Sequence, residues 1–154
     1  MRLFSLPGLL FAILIAPSCH AAQGFSCDGA RVRIEIVGRD SPIWENRAEA
    51  VLTVTRDGVG TVLRYRNIDF IGGQCFAGSD GRKLVLFQAY CGGSGCKDLA
   101  NWGAIDPITL RVLMVPNDAN HDEIQKLIGG GMLPQLEMLS VLSEARTLGI
   151  DVPK

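Results

Sequence analysis

Apolar and polar residues alternate over residues 31–36, with Val32, Ile34 and Ile36 on one face and Arg31, Arg33 and Glu35 on the other. A period of two predicts a strand with one buried face. Residues 23–29 before it read as a short lead-in carrying Cys27, and residues 38–46 as a loop rich in Gly, Asp, Ser, Pro and Asn. Residues 49–56 and 61–66 predict two further strands, joined at Asp57-Gly58. Asp-Gly between β-type runs is a hairpin signal, because both turn residues must take positive φ. Val59 and Gly60 leave room for a bulge. Ile68, Phe70 and Ile71 extend the second arm until Gly72-Gly73 breaks it. Residues 83–91 are apolar on both faces: Val85, Phe87, Ala89 and Cys91 on one, Leu84, Leu86, Gln88 and Tyr90 on the other. That pattern predicts a central strand covered on both sides. Residues 102–105 and 109–115 predict two short strands parted by Asp106-Pro107.

The period changes in the tail. Asn120 followed by Glu123 resembles a capping box, and Ile124, Leu127 and Ile128 then fall at helical spacing. Gly129-Gly130-Gly131 ends that helix. A second helix is expected from Pro134 through Met138, Val141, Leu142, Ala145 and Leu148 to a Gly149 cap. The whole predicts an α+β fold: a mainly antiparallel sheet of five or six short strands, two C-terminal helices covering one sheet face, and disulfide bonds.

Composition adds a compartment. Arg2, then a mostly apolar run over residues 3–16, then Cys19-His20-Ala21-Ala22 has the layout of a secretory signal, cut after Ala21. Residues 1–21 are therefore expected to be signal peptide and residues 22–154 one globular domain, periplasmic or secreted. The competing expectation places a lipid anchor on Cys19. No segment has the roughly 20 apolar residues of a membrane-spanning helix. Cys27, Cys75, Cys91 and Cys96 remain in either case, an even number that in an exported domain points to two disulfides. Four cysteines allow three pairings. The favoured one joins Cys91 to Cys96 and Cys27 to Cys75, and spacing alone does not decide among the three. A net charge of −1 with no basic stretch gives no reason to expect a nucleic-acid partner.

Candidate chemistry is sparse. Once His20 leaves with the signal, His121 is the one histidine, so every Ser-His-Asp or Cys-His arrangement would have to use it. Beside Asp122 at a helix start it reads as a surface residue. The cysteines lack C-x-x-C spacing, which argues against zinc. Asp118, Asn120 and Asp122 begin like a calcium loop, but Glu123 stands where glycine is needed and Gly129 where a bidentate glutamate belongs. Gly92-Gly93-Ser94-Gly95 lacks the Gly-Lys-Ser/Thr of a phosphate-binding loop. Four residues between Cys91 and Cys96, after a strand, do not suit a redox dithiol either. A hydrolytic carboxylate pair would have to come from Asp69, Asp80, Asp98 or Asp106. Trp44, Tyr90 and Trp102 are candidates for an aromatic recognition patch, with core packing as the alternative.

The loop from Cys91 to Cys96 resembles one feature of the periplasmic lysozyme inhibitors of the Ivy type, in which a C-x4-C loop leaves a strand of a secreted β-sheet domain. In that family the loop carries a histidine that enters the lysozyme site. Gly92-Gly93-Ser94-Gly95 offers no such side chain. The expected function is an exported, non-enzymatic binding domain, whose partner is another protein or an envelope component. Contact is expected through Tyr90, Gly92, Gly93, Ser94, Gly95, Lys97 and Trp102, with no cofactor, metal or catalytic residue assigned. The alternatives are an inhibitor of a cell-wall enzyme and a small carboxylate-dependent envelope hydrolase.

Overall fold

Two Asp-Gly pairs shape the first sheet of the computed structural model, which describes residues 22–42, 45–93 and 101–152. The signal segment expected over residues 1–21, with Cys19, lies outside them. Asp57 and Gly58 take φ of 50° and 80° and join β3 (Ala48–Arg56) to β4 (Val59–Tyr65). Pairing runs unbroken from Arg56 opposite Val59 to Ala50 opposite Tyr65, so no bulge follows the turn. Asp28 and Gly29, at 47° and 84°, make the same turn between β1 (Ala22–Cys27) and β2 (Ala30–Gly38). The expected lead-in around Cys27 is thus a full strand. The sheet is antiparallel in the order β1-β2-β3-β4.

The second sheet comprises β5 (Phe70–Ala77), β6 (Lys83–Tyr90), β7 (Trp102–Ile105), β8 (Val112–Met114) and β9 (Leu139–Ser140). It is antiparallel in the order β8-β7-β6-β5-β9, which places β6 at its centre as expected. β5 runs straight through Gly72 and Gly73, where a break was expected. Both glycines make room on a strand. A Cβ at Gly72 would stand 2.2 Å from the Glu137 carbonyl oxygen, and one at Gly73 would stand 3.3 Å from Phe87 Cβ.

The two sheets face each other. Val32, Ile34, Ile36, Leu52 and Val54 from the first meet Ile71, Val85, Phe87 and Ile105 from the second in one buried core. At one edge the layers are tied covalently and by hydrogen bonds. Cys27 of β1 is disulfide-bonded to Cys75 of β5, so the favoured pairing of these two holds. The Gln23 amide accepts a hydrogen bond from Gly73 N at 3.1 Å and donates to the Glu137 carbonyl at 3.3 Å. At the opposite edge the Thr61 hydroxyl of β4 donates to the Leu110 carbonyl, 2.6 Å away. The outer face of the second sheet holds another core, where Leu84, Leu86, Trp102 and Ala104 meet Ile124, Ile128 and Leu136.

The fold class therefore needs three corrections. Nine strands are present among the described residues, in two sheets. The helices α1 (His121–Leu127) and α2 (Val141–Thr147) are short, and β9 lies between them, so they do not form a C-terminal pair. They also cover different surfaces: α1 joins the outer core through Ile124, whereas α2 joins the core between the sheets through Val141 and Ala145. The second helix starts at Val141 rather than Pro134 because Leu139 and Ser140 pair with Ile71 and Phe70, and the Ser140 hydroxyl then caps Ser143 N. Its end follows expectation. Gly149 takes φ 70°, its N–H bonds the Arg146 carbonyl, and Ile150 N bonds the Ala145 carbonyl. No helix among the described residues is long and apolar enough to cross a membrane.

One acid is buried on the outside of the first sheet. Glu49 is 4% exposed and lies under two exposed arginines, with Arg64 Nη1 at 2.7 Å and Arg66 Nε at 3.0 Å. Burial pushes the Glu49 carboxyl up, and the hydrogen bonds from Arg66 and Arg64 outweigh it, leaving the group below its ordinary value of 4.5. A lowered carboxyl adds stability above the unfolded-state value and loses it as the pH falls through the folded one. Glu49→Gln is thus expected to cost about 1 kcal/mol at neutral pH, held down by the exposure of both arginines. Denaturant melts of the two proteins should converge as the pH drops below 4.5. A gap that persists unchanged to pH 3 would show that the charge contributes nothing.

Candidate functional site: a cavity at the end of the central strand

Along the outer face of β6 the side chains run Leu84, Leu86, Gln88, Tyr90. The first two are buried in the outer core, and the last two are half-buried where that core ends. Trp102 of β7 pairs opposite Gln88. These residues floor a cavity of about 520 Å³, walled by His121 at the start of α1 and by Leu133, Pro134, Gln135, Leu136 and Met138. That volume is within the range of small-molecule sites, about 300–1,000 Å³. The second wall belongs to a strap, residues 132–138, which has no regular structure until β9 begins.

Each wall is fixed by a specific contact. Asn120 does not cap α1 through its side chain. It is 1% exposed, and its Oδ1 accepts from Trp102 N at 2.9 Å while Nδ2 donates to the Trp102 carbonyl and, at 2.9 Å, to that of Val115. This holds the start of α1, and His121 with it, against the end of β7. The strap leaves α1 through Gly129, Gly130 and Gly131, all at positive φ. It is held low on the sheet by buried Leu136, by the Gln23 amide at Glu137, and by the missing side chain at Gly72. Beyond Tyr90, Asp69 secures the chain as it leaves β6. Its Oδ2 accepts from Gly92 N at 2.6 Å, and its own N–H donates to the Tyr90 carbonyl at 2.9 Å. The Phe70 and Tyr90 rings lie 5.5 Å apart in the same region.

Of the residues singled out in the sequence, Tyr90 and Trp102 come together in the cavity. Trp102 is 4% exposed and is as much core as lining. Gly92 and Gly93 follow β6 and are exposed. Cys91 is disulfide-bonded, and its partner lies outside the described residues, as do Ser94, Gly95, Cys96, Lys97 and Trp44. The sequence reading missed Gln88, His121, Gln135 and the apolar strap residues as lining. Gln88 carried a signal, as the one amide in a largely apolar strand. The strap carried none, because its place depends on Gly72 and Gln23, far away in the chain.

The other candidates disperse. Asp118 accepts from Asn101 Nδ2 and Asn120 bonds backbone, so the calcium-like spacing does not converge. No group of three His, Cys, Asp or Glu able to hold a metal occurs among the described residues. Asp69 is bonded to Gly92, Asp80 to Arg82 N, and Asp106 to Ile108 N and Thr109 N. Burial raises the Asp106 carboxyl and those turn hydrogen bonds outweigh it, leaving it lowered. Asp98 lies outside the described residues.

Among the described residues the cavity is lined by no Asp, Glu, Lys or Arg. Its chemistry is that of amides, an imidazole and aromatic rings set against leucine, proline and methionine. Such a surface orients a ligand by hydrogen bonds and ring contact. Compared with protein-family models, with curated proteins and with solved structures, the chain matches none.

Proposed function

We propose that this chain is an exported, non-enzymatic binding domain that receives part of another protein or of an envelope component in the cavity at the end of β6. The carrying observation is the composition of that cavity: Tyr90, Trp102, Gln88, Gln135 and His121 converge there, and among the described residues its lining includes no Asp or Glu, although Asp122 lies 3.3 Å from His121 at the rim. Of the carboxylates considered for a hydrolase, Asp69 is bonded to Gly92, Asp80 to Arg82 N and Asp106 to Ile108 N, so none of these three faces another. The Cys27–Cys75 bond fits a non-cytoplasmic location, and the signal-like first 21 residues support export.

The test is capture from envelope extract on the immobilised mature chain, comparing parent, Tyr90→Ala, Gln135→Ala and Val62→Ala. Val62 is exposed on the outer face of the first sheet, away from the cavity. The cavity variants should retain about a tenth of the captured material, since losing one ligand hydrogen bond or ring contact costs up to about 1.5 kcal/mol. Val62→Ala should match the parent. Equal capture by all four proteins would defeat the proposal.

A further inference from the structure

We infer that β4 is a pairing edge through which two copies of this chain join as a two-fold dimer, their first sheets merging into one. The two sheets have four edge strands, and three of these are cut short or closed off. β8 has three residues and pairs with β7 through a register shift, and β9 has two residues. β1 is fastened to β5 by the Cys27–Cys75 bond and by the Gln23 amide. β4 has none of these protections. It runs seven residues in unbroken register with β3, and it contains no proline, lysine or acid. Arg56 and Val59 flank the two-residue turn as a hydrogen-bonded pair, so the N–H and C=O groups of Gly60, Val62 and Arg64 point off the sheet. Among the described residues no backbone group bonds them across that edge. Three of the five exposed large apolar side chains among the described residues also stand here: Val59, Val62, and Ile108 on the turn whose Leu110 carbonyl the Thr61 hydroxyl holds.

The occupant is a second copy because the strand is complementary to itself. Antiparallel pairing about a two-fold axis at Val62 overlaps all seven residues and exchanges about six backbone hydrogen bonds, through Gly60, Val62 and Arg64 of each copy. Val62 then meets its own copy, half-buried Leu63 meets Thr61, and Tyr65 comes over exposed Val59. Arg64 falls opposite Gly60, which has no side chain. Arg66 falls opposite Gly58, next to the exposed Asp57 carboxylate. Opposite charges therefore meet at both ends of the pairing, and no like charges face each other. An axis at Arg64 would set arginine against arginine, and an axis at Gly60, Thr61 or Leu63 would shorten the overlap. Pairing also consumes the one open edge of each copy, so the assembly closes at two chains. The cavity lies on the outer face of the second sheet, and the dimer does not use it.

Sedimentation velocity on the mature chain tests this, combined with residue-resolved amide exchange. Between about 1 and 300 μM the parent should pass from one chain per particle to two. Over the same range the Gly60, Val62 and Arg64 N–H groups should slow in exchange by about tenfold or more. Those of Thr61 and Leu63, already bonded to β3, should change far less. Val62→Lys sets two ammonium groups face to face at the axis and should remain monomeric, and Val62→Glu should do the same with two carboxylates. The position is exposed, so both variants should melt within about 3 °C of the parent. An equimolar mixture of the two should recover the dimer, because opposite charges then meet across the axis. A parent that stays monomeric up to about 300 μM would overturn the inference. So would a dimer indifferent to Val62→Lys, a mixture that does not recover, or protection gained elsewhere with none at Gly60, Val62 and Arg64. An extended peptide from envelope extract that protects these three amides on a monomeric chain would overturn it as well, by giving the edge a different occupant.

Discussion

Gly103→Ala should lower the unfolding free energy by about 3 kcal/mol and the melting temperature by about 10 °C. Gly103 of β7 pairs opposite Phe87 of β6 on the inward face of the second sheet. The phenyl ring lies across the glycine, so a Cβ built there would stand 2.2, 2.5 and 2.6 Å from three ring carbons. Ring contact over a strand glycine makes good the missing side chain. The ring cannot swing aside, because Phe87 has no exposure at all and the Tyr65 ring stands 6.2 Å from it. Overpacking of this kind costs about 1–3 kcal/mol, and a fully enclosed ring belongs at the upper end. Gly103 is not among the residues at positive φ, so alanine meets no backbone penalty and the whole effect is steric. That gives a second check. Phe87→Leu should be destabilising alone, yet in the Gly103→Ala background it should cost much less, because the clash leaves with the ring. Full additivity of the two, or a Gly103→Ala melting point within about 2 °C of the parent, would contradict the packing described.

The double variant Cys27→Ala with Cys75→Ala should lose about 4 kcal/mol, the stabilisation expected from closing a loop across 48 positions. The bond stands where the sheets meet at β1 and β5, and Cys27 is 1% exposed with its sulfur 3.5 Å from the Leu84 carbonyl. Two contributions add here: the freer unfolded chain and a small void in the core. Guanidinium titration with linear extrapolation measures the sum. Reductant should then cost this variant far less than it costs the parent. Equal stability of parent and variant under oxidising conditions would mean that noncovalent contacts alone close this edge.

Much of the architecture is legible locally, and the failures have identifiable causes. Asp57-Gly58 announces its hairpin, and Asp28-Gly29 carries the same chemistry. The second is obscured because β1 is a poor strand by composition, with Gln23, Gly24 and Ser26 among its six residues. Gly72 and Gly73 read as a break because a glycine pair weakens a strand. In the fold they are what lets the strap and the core approach β5. The leucines of residues 133–139 have helical spacing, but β9 pairing and the Ser140 cap set where the helix begins. Of the site, Tyr90 and Trp102 could be picked out as aromatics near a distinctive loop. His121 reads as a surface residue until Asn120, expected to cap a helix, proves to hold the Trp102 backbone instead. The rest of the cavity is assembled by contacts between distant segments, which no local pattern records.

Gln23 sets an order of events. Its amide joins Gly73, 50 positions away, and Glu137, 114 positions away. The β1–β4 meander consists of sequence neighbours, joined by two-residue turns within β1–β2 and β3–β4 and by residues 39–47 between β2 and β3, so it can form as soon as that length of chain is available. The disulfide partner of Cys27 follows by residue 75. Completion of the latch, and so of the cavity wall, must wait for the last quarter of the chain. Contacts of such separation slow folding, because loop-closure entropy is lost before they form. A chain truncated before residue 132 keeps every residue of the first sheet and both cysteines of its disulfide, but loses the strap and with it α2, whose Val141 and Ala145 belong to the core between the sheets.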